Sequence, residues 1–485
     1  MVNGKFKKFL IYHLPLTTYH HSPMAATKFT PRTVWLILAD TAIIYGGIVF
    51  ALFVRLGLEG SDYQLNERGG WFKIALATFI CLLVLYFYDL YDFTVMGNRR
   101  ELMLRLVQAL GIAWMLLALL FYFAPPLLIG RGVSVLSVLI VLVALLTWRI
   151  LIHYLMGHPE IGERILIVGT GRAARDTAEA AMKRRDAGYR ISGFISENGT
   201  NPHSEIAGKS ILGSTVDLAE IVKAEKIDRI VIAVRERRGS FPTETLLKMS
   251  LAGNVDIEEC TSFFERVTGQ VHLEMLRPSW LIFDGRRRDT RLSIFFREVV
   301  HRSLALAGLL ISLPIAVIAA IFIKLDSKGE IFYRQERVGK NGRVIKIIKF
   351  RSMKTDAEAD GKPIWATTGD DRTTRVGRVI RKIRVDEIPQ FWNIIKGEMS
   401  FVGPRPERPH FVRQLAEEIP FYEHRHLTAP GLTGWAQIKY PYGASVEDAR
   451  NKLQYDLYYI KNQGLTLDLV IVFETVKTVL FGRGR

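Results

Sequence analysis

The chain has 485 residues, 49% of them hydrophobic and 23% charged, and its 65 Lys and Arg against 48 Asp and Glu leave a net charge of +17. That length implies about three units of ~150 residues, and the composition excludes disordered, collagen-like and disulfide-scaffold chains. The two cysteines, Cys81 and Cys260, lie far apart in sequence, so neither a disulfide framework nor a zinc cluster can be assembled from them. The positive field favours phosphate-bearing partners or an anionic membrane face.

Four apolar stretches, over about 33–56, 71–90, 104–123 and 133–154, reach the ~20 residues needed to cross a bilayer core. The segment ahead of them, 1–32, carries Lys5, Lys7, Lys8, Lys28 and Arg32 and no acidic residue, which assigns it to the cytoplasm. Arg99, Arg100 and Arg105 place the second loop there too, whereas the first loop sets Glu59, Asp62 and Glu67 against Arg68. Four transmembrane helices within 33–156 then return the chain to the cytoplasmic side. A cleaved signal peptide is rejected, because the first run is too long and three more follow. Asp40, inside the first run, is read as an interfacial residue in preference to a functional intramembrane carboxylate.

From residue 160 to 278 the pattern becomes that of a Rossmann-like α/β domain. Arg164–Val168 reads as a buried parallel strand, Gly169-Thr-Gly171-Arg-Ala-Ala174 as a turn into a helix ending near Arg184, and 189–195 and 229–234 as further strands. A glycine turn before a helix N-terminus suits a pyrophosphate. However, Ala174 stands where the third glycine belongs, and Glu197 is the nearest acidic candidate for a ribose. No Tyr-x-x-x-Lys pair occurs in the chain, so dehydrogenase or epimerase chemistry lacks its proton-transfer pair. A structural or regulatory module is the preferred reading, and NAD is not expected.

A basic run, Arg286, Arg287, Arg288, Arg291, Arg297 and Arg302, abuts the apolar stretch Ser303–Ile323. Pro314 lies in the middle of that stretch, just after Ser312-Leu313, where it removes a helical hydrogen bond and bends the axis. Local sequence leaves two readings open. One is a kinked fifth crossing; the other is a helix that dips into one leaflet and returns, keeping Arg302, Lys324 and Lys328 at one anionic surface.

In the C-terminal region basic residues cluster around Arg337, around Lys349 and Arg351, and from Arg375 to Arg384. Together they suit a pyrophosphate, for which Arg supplies forked donors and Lys a point charge. Among them lies Arg384-Val-Asp386-Glu387-Ile-Pro389, continuing to Gly397. Asp386 is suited to cap a short helix with Pro389 in its first turn and Gly397 at its end. The alternative is a nucleophilic carboxylate beside a metal-binding or acidic partner. Arg405 follows, locked between Pro404 and Pro406.

Lys349-Phe-Arg-Ser-Met353, Asp371-Arg372-Thr, Val385-Asp-Glu-Ile-Pro-Gln390, Gly397-Glu-Met-Ser400, Gly403-Pro-Arg-Pro406 and Pro430-Gly-Leu-Thr-Gly434 occur in this order. In these motifs the chain from about Arg286 to its C-terminus resembles the bacterial sugar transferase family, the monotopic polyprenyl-phosphate phosphoglycosyl transferases. With four spans and an α/β domain ahead, it is similar to the long form that starts exopolysaccharide, capsule or O-antigen (lipopolysaccharide) assembly. Arg384-Val385 stands where Ser-Leu is usual, and Ile388 where Leu is usual.

The resemblance implies a mostly α catalytic domain over 286–485, with a re-entrant membrane helix at about 300–325 broken at Ser312 and Pro314. It implies transfer of a hexose 1-phosphate from a UDP-sugar to undecaprenyl phosphate, with release of UMP. Asp386 matches the nucleophile that forms a covalent phosphosugar, Glu387 its partner and the magnesium ligand, and Arg405 a residue linked to the uridine. Arg337, Lys349, Arg351 and Arg381 are expected to bind substrate. Mg2+, or Mn2+ in its place, is the expected cofactor, a homodimer in the bacterial inner membrane the expected state, and nucleic acid is not an expected partner. UDP-glucose is favoured, ahead of galactose and N-acetylhexosamine donors. The apolar helix near Leu467–Leu480 reads equally as interfacial or packed on the domain. A catalytically idle scaffold and a sugar oxidoreductase are the rival functions, opposed respectively by the intact Asp-Glu pair and by the missing Tyr-Lys pair.

Overall fold

The computed structural model describes residues 31–91, 99–156, 162–184, 188–197, 204–234, 242–253, 255–276, 290–354, 372–441, 443 and 445–480. The basic segment 1–30, Arg286–Arg288 and Asp371 lie outside the described residues.

Four long apolar helices come first: α1 (Pro31–Asp62), α2 (Gly70–Phe87), α3 (Arg99–Phe123) and α4 (Arg131–Met156). Ile44, Ile48, Ile74, Leu85, Leu106, Leu110, Val141 and Leu145 are buried in one cluster drawn from all four. Each helix is long and apolar enough to cross a membrane, and on their outward faces Phe50, Phe79, Met115 and Val143 remain exposed. Asp40 is not at an interface with water. It is fully buried, 2.5 Å from Arg149 Nη2 of α4, with the guanidinium above the Tyr91 ring.

The second region is a six-stranded sheet: β1 (Glu163–Val168), β2 (Tyr189–Ser196), β3 (Glu205–Ile206), β4 (Lys209–Ser214), β5 (Arg229–Ile232) and β6 (Asp256–Glu259). Strand order is β3-β4-β2-β1-β5-β6, parallel except for the β3–β4 pair at one edge. Helices α5 (Arg172–Lys183), α6 (Leu218–Ala224), α7 (Thr243–Leu251) and α8 (Cys260–Thr268) complete it. Apolar clusters lie on both faces, as a buried parallel sheet requires. The glycine turn forms as expected, with Gly169 at φ +123° and Ala174 fully buried in the first turn of α5 against the sheet.

The third region begins with α9 (Arg291–Asp326), a single 36-residue helix of about 54 Å with Pro314 inside it. Ser312 Oγ donates to Gly308 O at 2.6 Å, a back-bond of the kind that bends helices. Then come the antiparallel pair β7 (Phe332–Val338) and β8 (Val344–Phe350), α10 (Arg375–Lys382), α11 (Gln390–Ile395), β9 (Ser400–Val402), α12 (Pro409–Glu418), β10 (Gly431–Thr433), α13 (Trp435–Lys439), α14 (Val446–Asn462) and α15 (Leu465–Leu480). Helix α9 is sewn to this region at both ends. His301 Nδ1 lies 2.7 Å from Ser400 Oγ, and Asp326 Oδ2 accepts from Val376 N at 3.0 Å. Between them Ala305, Ala319 and Ile323 are buried against β8, α10 and α11, while Leu310, Ile311, Ile315, Ile318, Phe322 and Leu325 point outward.

Helix α15 packs on its surroundings through one face. Ile471 is fully buried, Thr475 meets Thr433 at 2.6 Å, and Tyr459 donates to Asp468 at 2.8 Å. Its far end reaches the first region: Tyr86 donates to Glu474 at 2.6 Å, and Lys477 pairs with Asp89. The α/β region is tied in as well, by Trp435 Nε1 donating to Gly269 O at 2.9 Å and by a Lys461–Glu265 ion pair at 2.9 Å.

Candidate active site

Asp386 and Glu387 do not stand at the start of a helix. They occupy a 3-10 turn, Val385–Glu387, entered through Arg384 in the left-handed region (φ +60°). Helix α11 begins three residues later with Pro389 as its N-cap, and no side chain caps it. This corrects the capping alternative: Pro389 supplies a helical φ by itself, so the Asp386 carboxylate is not consumed as a cap. Gly397 (φ +80°) ends the helix as expected.

The two carboxyls sit in opposite electrostatic environments. Burial, and then the charge of Glu387, push Asp386 above its ordinary pKa, with Lys349, Arg381 and Arg384 pulling the other way. Burial also opposes ionisation of Glu387, but Arg405, Lys349 and Arg384 outweigh it and hold its carboxyl well below the usual range. The geometry is direct: Arg405 Nη2 donates to Glu387 Oε1 at 2.9 Å, Lys349 Nζ is 3.5 Å from the same oxygen, and Arg384 Nη1 is 3.6 Å from Oε2. Burial lowers the Lys349 pKa, against the pull of Glu387.

A small pocket opens beside these cations, lined by Arg337, Ile347, Lys349, Gln390, Arg405, Pro406 and Gly431. Arg337 points across it, donating to Gln335 at 2.6 Å and to Pro406 O at 3.0 Å, with Glu407 at 3.4 Å. Gly403 and Gly431 bring the two short strands together. A Cβ on Gly403 would lie 2.4 Å from Ala429 O, and one on Gly431 2.1 Å from Gly403 N, so neither position admits a side chain without moving backbone.

Four of the expected substrate-binding residues thus converge on the Asp-Glu pair or its pocket: Arg337, Lys349, Arg405 and, by its field on Asp386, Arg381. Arg351 is held elsewhere. Its Nη2 donates to Ser327 O at 2.7 Å and to Ser327 Oγ at 2.9 Å, fastening the C-terminal end of α9. Ser312 and Pro314 lie within α9. Gln390 and Arg384 belong to the site although the motif reading assigned them no role. The signal for Gln390 was its place in the Val385–Gln390 motif, and that for Arg384 its place in the basic cluster from Arg375; the left-handed backbone of Arg384 carries none.

No group of three or more His, Cys, Asp or Glu converges among the described residues. Asp386 and Glu387 are therefore the oxygen donors on offer. Two carboxylates fit a magnesium ion, which takes one or two from the protein and completes its shell with water and substrate phosphates.

The bacterial sugar transferase profile matches residues 292–482, and a CoA-binding domain profile matches 86–239. A UDP-glucose:undecaprenyl-phosphate glucose-1-phosphate transferase of Klebsiella pneumoniae is 33% identical over 321 residues, covering 64% of this chain and 67% of that protein. The chain belongs to the bacterial sugar transferase family. A UDP-N-acetylgalactosamine-undecaprenyl-phosphate N-acetylgalactosaminephosphotransferase of Aeromonas hydrophila is 39% identical over 261 residues, 54% of this chain and 61% of that protein. An undecaprenyl-phosphate glucose phosphotransferase of Komagataeibacter xylinus is 29% identical over 329 residues, 67% of this chain and 60% of that protein. The match thus spans less than two thirds of the latter two relatives. Within the family's matched segment lie the Asp-Glu turn, the cation pocket and α9, the three features that the geometry brings together.

Proposed function

We propose that the protein transfers a sugar 1-phosphate from a UDP-sugar to undecaprenyl phosphate. The observation that carries this is the contrast within the Asp-Glu pair: Glu387 is gripped by three cations, while Asp386 has none within ion-pair distance among the described contacts. An Asp386 oxygen attacks the sugar-linked phosphorus; the bond to the bridging oxygen breaks and its electron pair leaves with UMP. A phosphate oxygen of the lipid then attacks the same phosphorus, and the Asp386 carboxylate departs unchanged. Splitting the transfer lets a soluble nucleotide and a membrane lipid use one small site in turn. Arg405, Lys349 and Arg337 draw the diphosphate in and offset the charge that develops on it. Glu387, with Asp386 beside it, would hold a magnesium ion, which would supply further neutralisation of the diphosphate.

Helix α9 sets this site at the membrane. Because both of its ends are fastened to one domain while its outward face is apolar, a helix that enters and leaves one leaflet satisfies it better than a crossing. A crossing would put Ser400 and Val376 on opposite sides of the bilayer. Both termini and the two non-membrane regions then face the cytoplasm at the inner membrane, where UDP-sugars are found. The α/β region takes no part in turnover, and the working unit is a homodimer.

UDP-glucose is the donor favoured here. The similarity to the Aeromonas protein supports UDP-N-acetylgalactosamine as the second reading. Purified full-length protein with Mg2+, undecaprenyl phosphate and a panel of UDP-sugars, followed by UMP release, ranks them. Intact-protein mass spectrometry should show a sugar-phosphate adduct that disappears on adding lipid and never forms in Asp386→Asn. An active Asp386→Asn variant, or an adduct on another residue, refutes the mechanism.

A further inference from the structure

The loop that carries Arg405 is held to an unusual degree. Four successive carbonyls each accept a hydrogen bond: Pro404 O from Gly431 N at 2.9 Å, Arg405 O from Arg425 Nη2 at 3.0 Å, Pro406 O from Arg337 Nη1 at 3.0 Å, and Glu407 O from Val338 N at 2.8 Å. Two of these donors are neighbouring backbone and one is a wall of the pocket. Arg425 is none of these. It comes from the 3-10 turn Tyr422–Leu427 behind the loop and is only 7% exposed.

Arg425 is itself fixed from two other directions. Its Nη2 lies 2.9 Å from Asp456 Oδ2 of α14, whose carboxylate is 2% exposed. Its Nη1 donates to Tyr422 Oη at 2.6 Å, and the guanidinium carbon sits 5.1 Å above that ring. Phe421 in the left-handed region (φ +64°) turns the chain immediately ahead of Tyr422. One planar guanidinium therefore joins α14, the 3-10 turn and the carbonyl of Arg405, Nη2 serving Asp456 and the carbonyl while Nη1 is held by Tyr422, a fixed spacing that the flexible ammonium of a lysine does not reproduce.

We propose that Arg425, oriented by Asp456, is a positioning residue that aims the Arg405 side chain at Glu387 and the substrate pocket. With Pro404 and Pro406 each fixing its own φ, Pro406 restricting the backbone of Arg405 before it, and Arg425 holding the carbonyl between them, the backbone that carries the Arg405 side chain is closely confined. Net stability is a weak reason for such a pair, because the desolvation of two buried charges consumes much of their attraction. Burial pushes the Asp456 carboxyl up to about 6 against the pull of Arg425, which is that cost made visible. What an apolar replacement could not supply is a donor at the Arg405 carbonyl.

The proposal rests on the assignment of Arg405 to the nucleotide, and a double-mutant cycle separates the two. Binding of UDP to the full-length protein in detergent is measured for the native chain, Arg425→Lys, Asp456→Asn, Arg405→Ala and the two doubles that combine Arg405→Ala with each of the others. Thermal unfolding is followed in parallel. Arg425→Lys and Asp456→Asn should each weaken UDP binding about tenfold, a loss that shrinks below about twofold once Arg405 is alanine, as coupled neighbours require. Equal losses in both backgrounds overturn the positioning role. Failure of both Arg425→Lys and Asp456→Asn to fold overturns it too, since the pair would then hold the domain and not the loop. Unchanged UDP binding in Arg405→Ala, with losses persisting in the other variants, faults the Arg405 assignment and removes the proposal's basis.

Discussion

Two carboxylate–arginine pairs, Asp40–Arg149 and Glu387–Arg405, use the same chemistry for different ends. Both partners of the first are 0% exposed, and its surroundings are the helices of the membrane region. In the second, Glu387 is 12% and Arg405 33% exposed, and Arg405 forms a wall of a pocket. A closed pair can only be made or broken, so it ties α1 to α4. An open pair surrounded by Lys349, Arg384 and Arg337 leaves positive charge directed at a space, and that makes it a place for an anion.

Breaking each pair should therefore fail differently. The largest effect belongs to the open site: Asp386→Asn should abolish both adduct and turnover, and Glu387→Gln should lower kcat by about a hundredfold or more, with unfolding of either variant close to that of the parent. Loss of fold in step with loss of rate would place the pair among structural ties.

The closed pair should show the reverse. Arg149→Met leaves the Asp40 carboxylate buried without its cation, at a cost of about 3–5 kcal/mol. Its unfolding temperature in detergent should fall while kcat per folded molecule stays near the parent value. Adding Asp40→Leu should restore most of the stability, because an apolar pair of similar volume needs no desolvation. A low kcat in the rescued double variant would show that Asp40 serves the reaction.

The legibility of the sequence divides along the same line. The four apolar helices were readable from run length alone, since bilayer thickness fixes that length, and α1 to α4 fall where the runs do. The parallel strand at β1 and the glycine turn were readable from local pattern. The partner of Asp40 was not: Arg149 is 109 residues away, and no periodicity announces which helices face each other. Proximity in sequence exposed the Asp-Glu pair, whereas its interpretation came from ordered motifs. The capping alternative for Asp386 failed because Pro389 starts α11 unaided. Arg351 sits in a motif with Lys349, and a continuing strand would have set the two on one face, but β8 ends at Phe350 and Arg351 turns to Ser327. Arg425 and Asp456 carried no signal at all, for their role exists only once α14 packs behind the loop.

A moderate effect comes from pH. If Asp386 must be ionised to attack, log kcat/KM should fall as pH is lowered through its pKa, and burial with Glu387 places that acid limb above the ordinary carboxylate range. Lys349→Met removes a charge that favours ionisation and should shift the limb upward. Glu387→Gln removes the charge that opposes it, so the residual activity of that variant should show the limb moved downward. An acid limb at or below the ordinary carboxylate value would deny Asp386 its raised pKa and weaken the contrast with Glu387.

The smallest effect is expected at Arg384, where both contributions are modest and opposed. Its left-handed backbone costs an L-residue about 1 kcal/mol relative to glycine, and its side chain, 43% exposed and 3.6 Å from Glu387 Oε2, is a solvent-screened partner worth no more than about 1 kcal/mol. Arg384→Gly should therefore unfold at or slightly above the temperature of the parent and lose about two- to fivefold in kcat/KM, a loss of the size of one exposed ion pair. Arg384→Val keeps the strain, worsens it with a branched Cβ and loses the cation, so it should be less stable than either. If Arg384→Gly instead abolishes turnover with its fold intact, Arg384 touches the substrate, and the open pair must be redrawn as a site with Arg384 among its binding groups.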